Sequence, residues 1–481
     1  MNWSAIALLD SLKPLLSILP EVKRPERVPG LKEKLGWTIT ALLLFFVLGQ
    51  IYPLGVDASR LTQFERLDIL LGSKTGTLIT TGIGPIVLAS IFLQLAVGAK
   101  LISLDLSNPE HKKAFQGVQK LLSIALSFFE AGVYVFSGYL PASTTSTIFG
   151  SFFVTQLFLV LQLAAGSIIL LYLDEVVQKY GIGSGISLFI AAGVSQTVFV
   201  GAFSLAPGAT GIPQGLIPNA FYLIASGDVA NAVWNFAPIL FTIIVFLAVV
   251  YVEGMKIELP LAYGRARGLG ARYPIKFLYV SNIPVILASA VLLNFQLMGL
   301  FTATPVPGVP GLKQGFLGTY QNNQPVAGPV YYITALPSPL LIPGGYPAYL
   351  QFITQPNELL HILVYGIALV LLCVVFGWFW IESTGMSAAD VAAQLERAGL
   401  QIPGFRQDPR ITQKILERYI PVITILGSIF VGILAWFADI TGALGTGTGI
   451  LLTVGIIYRF YEDLAQQQLF EMYPALKQLL R

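Results

Sequence analysis

Cysteine occurs once, histidine twice, and charged residues make up only 11% of the 481-residue chain. The lone Cys373 excludes a disulfide framework, and with only His111 and His361 a histidine-built metal site lacks its ligands. No HExxH, GxSxG or P-loop lysine is present, so the usual signatures of zinc hydrolysis, serine hydrolysis and nucleotide binding are missing. GIGSGI at 181–186 and GTGTGI at 445–450 imitate phosphate loops, but no strand precedes either and each opens an apolar run. They read better as helix starts and points of close packing. Neither a cofactor nor a metal is implied. A soluble domain carries roughly 25% charged residues, and the shortfall here excludes that class.

What is abundant is apolar surface. Hydrophobic residues make up 55% of the chain, with a mean hydropathy of +0.74. Apolar runs long enough to cross a bilayer as helix, about 20 residues, lie near 35–52, 76–99, 114–139, 150–173, 185–205, 233–253, 275–299, 358–381, 412–438 and 447–471. The expected fold class is therefore an all-α polytopic membrane protein with ten transmembrane helices. The net charge of +3 says little, but its distribution says more. With the N-terminus in the cytosol, Lys13, Lys23, Arg24, Arg27, Lys32 and Lys34 fall inside, as do Lys100, Lys112, Lys113 and Lys179. The same side holds Lys256, Arg265, Arg267, Arg272 and Lys276, then Arg397, Arg406, Arg410 and Lys414. The opposite loops hold only Arg60, Arg66, Lys74 and Lys313. The positive-inside rule puts both termini in the cytoplasm, which requires an even number of spans. The first long apolar run lacks a small-residue cleavage site, so no cleavable signal peptide is expected. Residues Trp3 to Leu19 read as an amphipathic helix on the cytoplasmic surface.

The second run, GTLITTGIGPIVLASIFLQL, is a poor design for a helix that only crosses lipid, because Gly82, Gly84 and Pro85 interrupt it. Irregular backbone at membrane depth is tolerated only against protein or a water-filled cavity. The run therefore lines something, with Ile83 and Val87 four residues apart on one aliphatic face. Similar aliphatic positions recur at Ile186 and Ile190 after GSG, at Ile286 behind Asn282 and Pro284, and at Leu451 and Leu452 after GTGTG. A hydrophobic constriction holds back ions by dewetting; ordinary core packing is the competing reading of the same residues. Glu130, deep in the third run, is the clear intramembrane carboxylate, and such a residue is a functional candidate by default. Gln94 and Asn294 are its expected hydrogen-bond partners, in a gating role or as a plain interhelical bond. Between runs, 57–74 reads as a short amphipathic segment that folds back over a cavity or stays at the surface. The segment 253–276 reads as a basic cytoplasmic hairpin suited to an acidic partner. Residues 300–357, rich in Pro, Gly and Tyr, form a long external stretch of the kind that shapes an outer mouth.

GTLITTGIGPIV (76–87), GIGSGISLFIAAGVSQTVF (181–199), YVSNIPVILASA (279–290), PGFR (403–406) and GTGTGILLTVGIIYRFYE (445–462) together resemble the SecY family, the alpha subunit of the Sec protein-conducting channel, in its archaeal form. The resemblance runs from about residue 20 to 475 with motif order preserved. It implies two inverted five-helix halves around an hourglass pore: 35–205 with spans 1–5, and 206–471 with spans 6–10, flanked by a cytoplasmic N-terminal segment (1–34) and tail (472–481). It further implies a pore ring of Ile83, Val87, Ile186, Ile190, Ile286 and Leu452, with Leu451 the less favoured choice for the last place. A plug at about 63–71 (Gln63, Phe64, Leu67, Ile69, Leu70, Leu71) and lateral-gate polar residues Gln94, Glu130 and Asn294 are also implied. The position after the pore valine, often a hydroxyl residue in the family, is here Leu88. Loops 253–276 and 382–411, with Arg265, Arg267 and Arg406, resemble surfaces that dock the ribosome. The implied partners are SecE/gamma and archaeal beta subunits, the ribosome, signal sequences and nascent polypeptides, and membrane lipid, in the plasma membrane. The implied activity is to conduct secretory polypeptides and release transmembrane segments sideways into lipid, with no bond broken. A secondary solute transporter is the alternative; a membrane enzyme would need acidic or basic groups over a lipid headgroup, and these are not found.

Overall fold

A computed structural model of the chain describes residues 19–27, 29–57, 74–98, 109–143, 150–207, 211–263, 270–280, 282–309, 311–339, 342, 344–397, 400–401 and 409–472. Ten helices occupy the ten apolar runs: α1 (Leu31–Leu48), α2 (Gly84–Gly98), α3 (Pro109–Phe136), α4 (Phe152–Tyr180), α5 (Gly185–Phe203), α8 (Ala237–Glu253), α9 (Ile283–Thr302), α12 (Pro356–Ser383), α14 (Pro409–Thr441) and α15 (Gly447–Met472). Shorter helices fill connections: α6 (Leu216–Ala225), α7 (Val229–Trp234), α10 (Pro329–Ile333), α11 (Gly345–Ile353) and α13 (Ala388–Arg397). Among the described residues seven helical stretches are by themselves long and apolar enough to cross a membrane. The others carry charge near an end or, as in α2, are short; ten crossings are compatible with this architecture.

Proline and glycine decide where the apolar runs become helix. In the second run, residues 74–83 form successive turns and α2 starts only at Gly84. Gly82 holds a left-handed φ of 55°, and Pro85 sits in the first helical turn, where its missing N–H costs nothing. The turns satisfy their own backbone: Thr80 N–H donates to Thr77 O at 3.1 Å, Gly82 N–H to Ile79 O at 2.9 Å, and Leu78 N–H to Ile51 O at 2.9 Å. The seventh run begins later than its hydropathy suggests, because Lys276 still belongs to a strand and Pro284 fixes the first turn of α9. The sixth divides into α7 and α8 ahead of Pro238.

Among the described residues, two small sheets complete the fold. The 253–276 segment is the expected hairpin, with β1 (Lys256–Tyr263) antiparallel to β2 (Gly270–Lys276) in the register Lys256 to Lys276 and Leu259 to Tyr273. A third strand, β7 (Leu400–Gln401), joins the free edge of β1. The 300–357 stretch is not simply loop. It holds a four-stranded antiparallel meander, β3 (Thr304–Pro305), β4 (Leu312–Gly315), β5 (Gly318–Gln321) and β6 (Gln324–Ala327), in sequential order. The β5–β6 connection is two residues, Asn322 and Asn323, at φ 51° and 65°, the conformation a tight hairpin needs and one that asparagine tolerates.

Each group of helices closes on its own apolar cluster. Val249, Ala288, Leu369, Cys373, Val431 and Leu451 join α8, α9, α12, α14 and α15, and Ala131, Val135, Leu159 and Leu163 join α3 to α4. Small residues allow close approach: Trp436 lies over Gly366 and donates its indole N–H to Ile362 O at 2.9 Å. Large apolar side chains are also turned outward, as in α8, where Leu240, Ile243 and Leu247 are exposed. Such a surface suits lipid and would aggregate in water.

Candidate functional site

The aliphatic residues that follow the glycine-rich turns converge. Ile83, Ile190 and Leu452 are buried in one cluster, and Val87, Ile186 and Ile286 pack against it. The six come from five places in the chain: the turn before α2, α2 itself, the first two turns of α5, and the starts of α9 and α15. Ile83 is the last residue before α2, and Val87 N–H donates to its carbonyl at 3.0 Å, so the pair stays one turn apart although only one of them is helical. Leu451, adjacent in sequence, is fully buried in the other cluster among α8, α9, α12 and α14. The neighbouring leucines of α15 therefore enter different clusters, and it is Leu452 that joins the other five.

Polar side chains behind these residues fix where their helices begin. Asp174, buried near the end of α4, accepts from Ile186 N–H at 3.0 Å, Gln178 Nε2 at 2.7 Å and Ser184 Oγ at 3.4 Å. It thus takes up a backbone donor at the start of α5, where the first N–H groups of a helix have no internal acceptor. Gly185 is required there because a Cβ would lie 2.6 Å from the Asp174 backbone. Asp439, near the end of α14, does the same for α15: its Oδ1 accepts from Gly447 N–H at 3.1 Å and its Oδ2 from Tyr365 OH at 2.7 Å. Ser167 of α4 donates to Gly82 O at 2.9 Å and shares a short hydroxyl contact with Thr81. Asn282 donates to Leu451 O at 2.6 Å, joining the start of α9 to α15. Sequence reasoning missed Asp174, Asp439 and Ser167. The available signal was an acid followed by a Gly-rich turn, found twice: Asp174 before GIGSGI and Asp439 before GTGTGI.

The expected polar trio does not form. Gln94 donates to Ser90 Oγ at 3.1 Å, one turn back on α2, and the exposed Asn294 donates to Ala290 O at 2.7 Å on α9. Both amide nitrogens donate within their own helix. Among the described residues no hydrogen bond joins either to Glu130, which is 9% exposed on α3. The helices bearing these residues do meet: α3 packs against α9, and α2 against α12. Tyr134 and Tyr139 from the α3 side and Leu293, Leu300, Tyr320 and Val330 from the α9 side make one cluster. The residues expected to form the plug, Gln63, Phe64, Leu67, Ile69, Leu70 and Leu71, those expected to dock the ribosome, Arg265, Arg267 and Arg406, and nearly all of the segment Trp3 to Leu19 lie outside the described residues.

Comparison with known proteins bears on the whole chain. The SecY family profile matches residues 77–461. The protein translocase subunit SecY of Methanothermobacter thermautotrophicus is 45% identical over 481 residues, covering 98% of this chain and 99% of the relative. A solved structure described as that of a protein conducting channel is 44% identical with a TM-score of 0.79, covering 96% of this chain and 99% of that one. Sec61 in a canine ribosome-channel complex from the endoplasmic reticulum is 43% identical with a TM-score of 0.77, over 96% of this chain and 99% of that one.

Proposed function

The chain belongs to the SecY family and is a protein-conducting translocase subunit, and on that premise we propose that the cluster of Ile83, Val87, Ile186, Ile190, Ile286 and Leu452 is the constriction through which the polypeptide passes. The observation that carries this reading is the meeting of these six aliphatic side chains from widely separated segments in one place. Aliphatic side chains offer a passing chain no hydrogen bond, salt bridge or metal. They close on whatever occupies the opening and, in its absence, on one another, where the narrow apolar space resists wetting by ions and water.

The seam between α2 and α3 on one side and α9 and α12 on the other is the proposed lateral gate, with Gln94, Glu130 and Asn294 along it. A signal sequence or transmembrane segment that parts the seam faces lipid on one side and the aqueous path on the other. Each Leu or Ile then favours lipid by about 0.3 to 0.6 kcal/mol, while a central charge opposes it by about 2.5 to 3.5 kcal/mol. Secretion and membrane insertion are two outcomes of that one partition. The chain works as a channel and breaks no bond, so the driving energy comes from a partner.

Orientation follows from charge. The basic hairpin β1–β2 and both termini face the cytoplasm, and β3–β6 face the outside of a plasma membrane. Arg265 and Arg267, which lie between β1 and β2 in sequence, and Arg406 are the proposed ribosome-docking points. SecE/gamma and beta subunits are the proposed membrane partners. The proposed plug, about 63–71, precedes the turn that carries Ile83.

A photo-crosslinking residue at Ile83, Val87 or Ile190, with a ribosome-bound secretory chain stalled in membranes holding the complex, tests the constriction. The expected crosslinks require a functional signal sequence and are absent when the photo-crosslinking residue replaces Ile243, which is exposed on the outer face of α8. An engaged chain that never crosslinks to these three positions overturns it.

A further inference from the structure

The sheet β3–β6 is rooted on one side of the α3/α9 seam and reaches across to the other. Its root is Tyr320, fully buried, whose ring lies over Gly299 of α9 so closely that a Cβ there would collide with the phenol. Val330 N–H, donating to Leu317 O at 3.1 Å, ties the sheet onward to α10. Its reach is made by two side chains. Lys313 Nζ donates to Ser137 O at 2.7 Å, and Asn323 Nδ2 donates to Gly138 O at 2.9 Å. Lys313 also donates to Asn323 Oδ1 at 3.0 Å, so the two act as a unit.

The receiving carbonyls are those a helix leaves open. Ser137 and Gly138 directly follow Phe136, the last residue of α3, where carbonyls lack internal donors and the helix dipole is negative. Gly138 turns the chain with a φ of 76°, leaving its oxygen free for Asn323. An ammonium and an amide N–H are the groups such an end attracts. On the sheet side, the left-handed Asn322–Asn323 turn presents Asn323, and Lys313 stands opposite Tyr320 in the β4–β5 register. Burial pulls the Lys313 ammonium below the ordinary lysine pKa, as expected for a cation held in a partly closed site.

We propose that Lys313 and Asn323 form a clasp that holds the lateral gate shut at its outer end, and that these bonds to the end of α3 are released each time the gate parts. This rests on the gate assignment made above. The sheet moves with α9 through Tyr320, whereas Ser137 and Gly138 directly continue α3, so separation of α3 from α9 cannot leave the clasp intact. The clasp therefore sets a threshold that a signal sequence must overcome. Weak signals are filtered more strongly than strong ones.

The test uses the complete complex in membranes, with Cys373→Ala as the background for cysteine pairs. Removing the clasp with Lys313→Met plus Asn323→Ala is expected to raise translocation of a substrate with a shortened apolar signal by at least about tenfold, because one charge-assisted and one neutral hydrogen bond together are worth more than a single tenfold step. A strong signal should change less than about twofold, and the same-sheet control Gln321→Ala should behave as wild type. In the converse arm, Asn323→Cys with Ser137→Cys, oxidised to a disulfide, is expected to stop translocation, with recovery on reduction. This second arm decides the matter if the first variant fails to accumulate. A crosslinker between Val133→Cys on α3 and Leu297→Cys on α9 tests the gate itself. If that crosslink blocks transport while the clasp variants and the locked disulfide transport like wild type, the clasp is overturned and the gate stands. If transport proceeds through the crosslinked seam, the gate reading fails and the clasp with it.

Discussion

The proposed constriction and its supports are neighbours built on opposite principles. The six side chains that meet in this cluster are all aliphatic, held by contacts that have no preferred direction. One step behind them, the turns are held by directional bonds: Asp174 to Ile186 N–H, Asp439 to Gly447 N–H, and Ser167 to Gly82 O. Only directional bonds specify where an atom stands, and only non-directional contacts tolerate a partner of changing shape. On the proposed reading, dividing the two tasks would let a fixed opening close on a variable chain. Asp174 and Asp439 also serve different turns. Asp174 lies by the α4–α5 turn, whereas the α14–α15 turn is tied to α11, where Tyr349 OH donates to Ile440 O at 2.6 Å.

The comparison breaks most severely if direction and charge are placed inside the constriction. Ile190 is 5% exposed, and Ile190→Asp brings an ionised group into that space. Its hydration demands water, so the resting complex in a planar bilayer is expected to conduct ions at least about tenfold better than wild type. Ile190→Leu keeps volume and polarity, costs less than about 1.5 kcal/mol, and should leave the resting conductance unchanged. An Asp variant that stays as tight as the Leu variant would show that these side chains do not form the barrier.

Removing a support is expected to act less strongly. Asp174→Ala leaves Ile186 N–H buried without its acceptor, and Asp439→Ala does the same to Gly447 N–H, each a loss of about 1 to 3 kcal/mol. Denaturant midpoints in detergent should fall accordingly, with a measurable rise in resting ion leak. Asp174→Asn and Asp439→Asn retain an acceptor oxygen and should recover most of both properties. If the Asn forms fail as badly as Ala, charge and not position is what the site requires.

These differences also explain what the sequence could reveal. The apolar runs were legible because crossing a bilayer imposes length and hydropathy, and the glycine-interrupted turns were legible because glycine and proline punctuate backbone. The choice between Leu451 and Leu452 came from resemblance, and the structure shows its physical content: they sit in separate clusters. Asp174 and Asp439 were hidden because an acid near the end of an apolar run looks like an interfacial charge. The Glu130 pairing was misjudged because Gln94 and Asn294 find partners four residues back in their own helices. The sheet β3–β6 was illegible because its strands are only 2 to 4 residues long, too short for alternation to register.

The smallest expected effect sharpens the comparison. Ser167→Ala removes the hydroxyl that donates to Gly82 O and touches Thr81, so it removes the hold on a carbonyl of the turn before Ile83 and not on an N–H group of a helix start. Gly82 O is a neutral acceptor within a turn that keeps its own backbone bonds, so the loss should be about 1 kcal/mol. The denaturant midpoint should shift less than for either Asp→Ala variant, and resting conductance should barely move. The turn also packs against Gly166, where a Cβ would collide with the Leu78 carbonyl, so backbone contact with α4 remains after the hydroxyl is gone. A conductance increase in Ser167→Ala matching that of Asp174→Ala would mean that Ile83 depends on this one hydroxyl as much as Ile186 depends on its carboxylate. The division between strong supports at helix starts and a weak one at the turn would then have to be abandoned.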